Sequence, residues 1–118
     1  MLLAHLLKLG KSVALPFGNN QRYDLIVDDG DKLLKAQCKT GRMKNGCVVF
    51  WACSTNGFTG KKTGYRGQVD VFLVHCPDTD KFYQVPAELV GVTMVTLRVD
   101  APRNLQKCDI RWAKDFEI

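Results

Sequence analysis

No run of the ~20 apolar residues that a bilayer span requires occurs anywhere in this sequence. The apolar start, residues 1–9, is interrupted by His5 and Lys8 and has no basic stretch ahead of it. It fits neither a secretory signal nor a transit peptide, so no membrane association and a cytoplasmic location are expected. Cysteine pairing is missing as well. The five cysteines, Cys38, Cys47, Cys53, Cys76 and Cys108, are odd in number and none lies in a CxxC, which argues against a disulfide framework or a zinc site. Only two histidines occur, His5 and His75, each without a second ligand at metal spacing, and both are expected to be ordinary surface or core residues. A Cys76–His75 nucleophilic pair is disfavoured because neighbours on a strand face opposite ways. Repeats, low-complexity tracts and linkers are also absent, so residues 1–118 are expected to form a single domain.

What is present is an ordinary globular composition, 46% hydrophobic and 25% charged, with a basic balance: 17 Lys and Arg against 12 Asp and Glu, a net charge of +5. That excess is compatible with a polyanionic partner without requiring one.

Apolar residues at 2, 3, 6, 7 and 9 have helical spacing, with Gly10 as a C-terminal cap. Strand and turn signals follow. The spacing predicts a strand over 23–27, a turn at Asp28-Asp29-Gly30, a partner strand over 33–40 and a turn over 41–46. A third strand over 47–52 completes the expected meander. Residues 54–67 carry four glycines with Lys61, Lys62 and Arg66, and are expected to be an exposed contact-making loop. A hairpin over 69–85, a short helix from Pro86 through Glu88 and a strand over 92–99 come next. Trp112 and Phe116 are spaced as one packed helical turn. The order predicts an α+β fold of the α/β kind, a mixed central sheet with flanking helices.

In this pattern Gln37 and Lys39 share one strand face and Cys38 takes the other, while the hairpin brings Asp24 opposite them. A carboxylate and an amide oxygen are hard donors of the kind Mg²⁺ takes, and an ammonium beside them can stabilise phosphoryl charge. Spacing alone favours the plainer reading, a solvated polar strand with an acid at its end.

The run from Leu15 to Gly30 (LPFGNNQRYDLIVDDG) and that from Leu34 to Gly41 (LKAQCKTG) resemble the PD-(D/E)xK nucleases associated with group I introns, in the branch of cyanobacterial intron-encoded homing endonucleases. The segments GYRGQVDVF from Gly64, YQVP from Tyr83, PRN from Pro102 and IRWA from Ile110 fit the same family in order along the chain. The resemblance implies a restriction-endonuclease-like core. Within it, Asp24 is the metal-binding acid, Gln37 stands where a second acid is usual, Lys39 is the catalytic lysine and the Cys38 carbonyl is a further metal ligand. It also implies Mg²⁺, with Mn²⁺ as substitute, double-stranded DNA as substrate and a homo-oligomer, dimer or tetramer. The family carries a glutamate at the start of its first helix, ahead of the position of Met1, so the first helix is expected to be truncated. Asn19, Asn20, Arg22, Lys61, Lys62 and Arg66 are the expected DNA contacts. Asp70 is expected to be structural at least as readily as metal-binding. The expectation is a site-specific metal-dependent endonuclease. The alternatives are a catalytically impaired DNA-binding or assembly module of the same fold and a nuclease acting on DNA junctions.

Overall fold

The computed structural model describes residues 2–17, 23–55, 62–64, 69–90, 94–100 and 111–118, with the backbone alone at 54, 55 and 62–64. Helix α1 spans Leu2–Lys8 and is followed by β1 (Ser12–Ala14), β2 (Leu25–Asp28), β3 (Leu33–Thr40), β4 (Arg42–Lys44) and β5 (Cys47–Trp51). Then come β6 (Cys53–Thr55), β7 (Lys62–Gly64), β8 (Val71–Cys76), β9 (Lys81–Pro86) and β10 (Met94–Arg98), with single 3-10 turns at Ala87–Leu89 and Ala113–Asp115. Among the described residues no helix is long and apolar enough to cross a membrane.

The larger sheet has five strands in the order β1-β2-β3-β8-β9, all antiparallel pairs except β3 with β8, which run parallel. The smaller sheet has the order β10-β5-β4, and β6 pairs with β7. This corrects the expected meander. The third strand, β5, does not continue the β2–β3 hairpin; it joins β4 and β10, and β3 turns its other edge to β8. Residues 41–46 hold a strand as well as a turn, because Asn45 (φ 52) and Gly46 (φ 77) fit the type I′ turn that closes a two-residue hairpin. The expected loop over 54–67 contains the edges of the β6–β7 pair, its remainder lying outside the described residues. The expected helix at Pro86 is a single 3-10 turn that Pro86 caps. The Trp112–Phe116 turn is likewise 3-10.

β8 divides the core. Val71 and Leu73 pack with Leu6, Leu25, Val27, Leu34 and Ala36 under α1. Phe72, Val74 and Cys76 pack on the opposite face with Val48, Phe50, Val95 and Leu97 of the smaller sheet. Strand alternation produces this directly, since odd and even residues of a strand buried on both faces serve two cores. Where the chain passes from the larger sheet to the smaller it uses Gly41. A Cβ there would lie 2.8 Å from Val48 Cγ1 and 3.0 Å from Val74 Cγ1.

Candidate active site

β3 is the middle strand of the larger sheet, paired on both edges. Its register with β8 places Gln37 beside Phe72 and Lys39 beside Val74, hence on the face carrying the smaller sheet, while Ala36 and Cys38 lie beside Val71 and Leu73 on the α1 face. Asp24 sits one residue ahead of β2. The Leu25–Ala36 pairing puts it across from Gln37.

Two hydrogen bonds fix Asp24 there. Its backbone N–H donates to the Ala36 carbonyl at 2.8 Å, and its Oδ2 accepts the Cys38 N–H at 2.8 Å. The carboxylate thus occupies the place a strand carbonyl would take one residue further along, which ties β2 to β3 beyond the end of the ladder. In an extended strand the N–H and C=O of one residue point to the same side. The Cys38 carbonyl is therefore directed to the Asp24 flank of β3.

Asp70 does the same on the other flank: its N–H donates to the Lys35 carbonyl at 2.7 Å and its Oδ2 accepts the Lys35 N–H at 2.9 Å. Its own carbonyl accepts the Ala87 N–H at 2.9 Å. Asp70 accordingly fastens the start of the β3–β8 pairing, a structural task. Lys35 in turn places its ammonium 5.9 Å from the centre of the Tyr23 ring, beside Asp24 in sequence.

Lys39 leaves β3 toward the smaller sheet and donates from Nζ to the Cys53 carbonyl at 3.1 Å. Nothing in the sequence order of Lys39 and Cys53 signals that contact; it arises because β6 begins where β5 crosses over β3. The Cys38 thiol is pushed up to about 11 by burial and, next, by the Asp24 charge. At neutral pH it is a protonated thiol and not a nucleophile.

Oxygen donors therefore gather on one flank of β3: the Asp24 carboxylate, the Cys38 carbonyl and, on the adjoining face, the Gln37 amide. Among the described residues no three His, Cys, Asp or Glu side chains cluster as a metal site. The donor chemistry still fits a hard divalent ion, which takes carbonyl and amide oxygens, substrate phosphate and water alongside one carboxylate. Of the expected DNA contacts, Asn19, Asn20, Arg22, Lys61 and Arg66 lie outside the described residues, and of Lys62 only the backbone, in β7, is described. His5 and His75 are engaged elsewhere, both rings stacking on Phe82 at 3.9 and 4.5 Å.

No curated protein matches the chain. A solved structure described as that of a bacterial homing endonuclease, I-Ssp6803I, superimposes with a TM-score of 0.71 at 24% identity, covering 98% of this chain and 80% of the other, and so shares its fold. A family profile described as PD-(D/E)XK endonuclease matches residues 1–118. With that match over its whole length, the chain belongs to the PD-(D/E)XK endonuclease family.

Proposed function

We propose that this protein is a Mg²⁺-dependent endonuclease, Mn²⁺ substituting, which hydrolyses phosphodiester bonds at selected sites in double-stranded DNA. The observation that supports it most directly is the meeting of Asp24, the Cys38 backbone, Gln37 and Lys39 around one stretch of β3 in a chain of this family. Asp24, Gln37 and the Cys38 carbonyl are the oxygens that would hold the ion. When bound, the ion supplies positive charge to the phosphate oxygens and acidifies the attacking water. Lys39 contributes an ammonium on the same face, where it orients that water and offsets charge accumulating on the phosphoryl oxygens. Its bond to the Cys53 carbonyl keeps the long side chain from sampling other rotamers before substrate arrives.

The homing character of the solved neighbour supports site selectivity here, and a dimer or tetramer follows from the need for two active centres to cut two strands. Asn19, Asn20 and Arg22, immediately before Asp24, and Lys61, Lys62 and Arg66 are the proposed DNA contacts. A second reading, a DNA-binding module without turnover, is favoured by one observation: among the described residues, Asp24 is the one carboxylate in the proposed donor set.

Incubating the protein with plasmid DNA and Mg²⁺ separates the two readings. Cleavage is expected, and Asp24→Ala and Lys39→Ala are each expected to lower the single-turnover rate by roughly 10²–10³-fold, the effect of removing one charge-stabilising group. Retarded but uncut DNA in the wild type would establish the binding module. Cleavage untouched by both substitutions would locate the centre elsewhere.

A further inference from the structure

The smaller sheet turns Val48, Phe50, Val95 and Leu97 inward, so by strand alternation the neighbours of these residues form an outer face. Across that face the register aligns Arg42 with Val49 and Thr96, Lys44 with Cys47 and Arg98, and Trp51 with Met94. Three cations from two different edges of the sheet therefore share one surface, with the exposed Trp51 at its end. Among the described residues the ion pairs are Lys11–Asp29, His75–Asp80 and Lys81–Glu117, and none involves Arg42, Lys44 or Arg98. Two nearby carboxylates lie at its margins: Asp78 accepts the backbone N–H of Met43 at the edge of β4, and Asp100 packs against Gly46.

We infer that this face is a phosphate-binding surface for the duplex flanking the cleavage position, a deepening that rests on the nuclease reading above. The spacing suits such a partner. Arg42 and Lys44 are ~7 Å apart along β4, and Lys44 and Arg98 are ~10 Å apart across three strands. One DNA strand presents a charge every ~3.4 Å of axial rise, and because the backbone also winds around the axis its neighbouring phosphates lie farther apart than that, so these separations correspond to about one to two phosphate steps. Arg98 is held in place by donating Nη1 to the Asn45 carbonyl at 3.4 Å. Trp51 links the face to the chemistry, because it lies two residues from Cys53, whose carbonyl holds Lys39. A single strand of the sequence shows none of this; the cluster exists only once β4, β5 and β10 are aligned.

The test is affinity for a 30-base-pair duplex as a function of NaCl, measured by fluorescence anisotropy without divalent metal so that turnover plays no part. The variants are Arg42→Ala with Lys44→Ala, and the charge-keeping pair Arg42→Lys with Lys44→Arg. The alanine pair is expected to reduce the log–log salt slope by about 1.8, two contacts at ~0.9 each, equally for unrelated sequences. The charge-keeping pair is expected to retain the slope, which also shows that the sheet is intact. An alanine pair with wild-type slope, or a loss confined to one sequence, overturns the inference, as does a wild type that binds no duplex. A salt slope that responds as expected in a protein that does not cut DNA leaves this face standing and removes the nuclease reading. Normal cutting with an unresponsive slope does the reverse.

Discussion

At the scale of single residues, the proposed active centre depends on how few oxygen donors it has. Asp24 Oδ2 already accepts the Cys38 N–H, so Gln37 becomes the position at which the proposed metal site is most easily improved or ruined. Gln37→Glu keeps an oxygen of the same reach and adds a charge, whereas Gln37→Ala leaves the ion short of a donor. Titrating cleavage against Mg²⁺ should show the glutamate variant saturating at equal or lower metal concentration than the wild type and the alanine variant at least tenfold higher. Identical curves for both would detach Gln37 from the metal. Cys38 offers an independent measure of the same spot. Its thiol is raised from 9.0 to about 11 by burial and the Asp24 charge, so the proton stays on through pH 8 and leaves as the pH climbs toward 11. Alkylation at Cys38, followed by peptide mass spectrometry, should be about a hundredfold slower at pH 8 than at a free cysteine and should accelerate tenfold per pH unit above it. Asp24→Asn, by removing the charge, should speed that reaction. The folded state holds this proton more tightly than the unfolded chain. Its contribution to stability is therefore complete below pH 9 and lost between 9 and 11.

At the scale of elements, the β2–β3 hairpin was legible because its signals are local. Alternating apolar residues flank an Asp-Gly turn, and Asp28 Oδ1 accepts the Gly30 N–H at 2.9 Å as such turns require. The hairpin brings Asp24 to β3 by chain proximity alone. The other half of the site's surroundings was not legible, because it is made by contacts distant in sequence. β8 enters parallel to β3 after four strands of two other sheets, and Cys53 meets Lys39 only through that stacking. Periodicity cannot distinguish a third meander strand from the first strand of a second sheet, since both are short apolar runs. Gly41 marks the point of divergence. Gly41→Ala should destabilise the fold by about 1–3 kcal/mol in denaturant unfolding, through collision with Val48 and Val74. Val48→Ala in the same chain should recover part of that loss, giving a non-additive cycle. Additive effects would show that the methyl is accommodated by backbone movement instead.

At the scale of the whole molecule, one sheet separates two cores. α1 has only seven residues, too short to persist alone, and is held by Leu6, fully buried, and by His5, whose ring bonds the Ile118 carbonyl at 2.9 Å. Ile118 in turn donates its N–H to Phe82, at the outer strand β9. β3 and β8, by contrast, are paired on both edges, β8 being buried on both faces and β3 half-buried over 37–39. In native-state hydrogen exchange the amides of Val71 through Cys76 and of Ala36 through Lys39 should be slowest, opening only with global unfolding, and those of α1 and β1 fastest. Slow exchange across α1 would mean that the helix and the sheet open as one unit.

The parallel pairing of β3 with β8 also sets an order in time. The Asp24–Cys38 bond joins residues 14 apart and needs only a hairpin, a microsecond event. The Asp70–Lys35 bond joins residues 35 apart, across the segment that builds most of the smaller sheet. On a ribosome adding 5–20 residues per second, roughly 30 residues separate the completion of the first from the synthesis of the second, an interval of about 2–6 s. Throughout that interval the far edge of β3 has no native strand beside it, and Leu34 and Ala36 have no β8 to cover them. An open strand edge of that kind pairs readily with another nascent copy. The arrangement that later encloses the centre in the middle of the sheet thus exposes the chain, while it is being made, to its own neighbours on the same message.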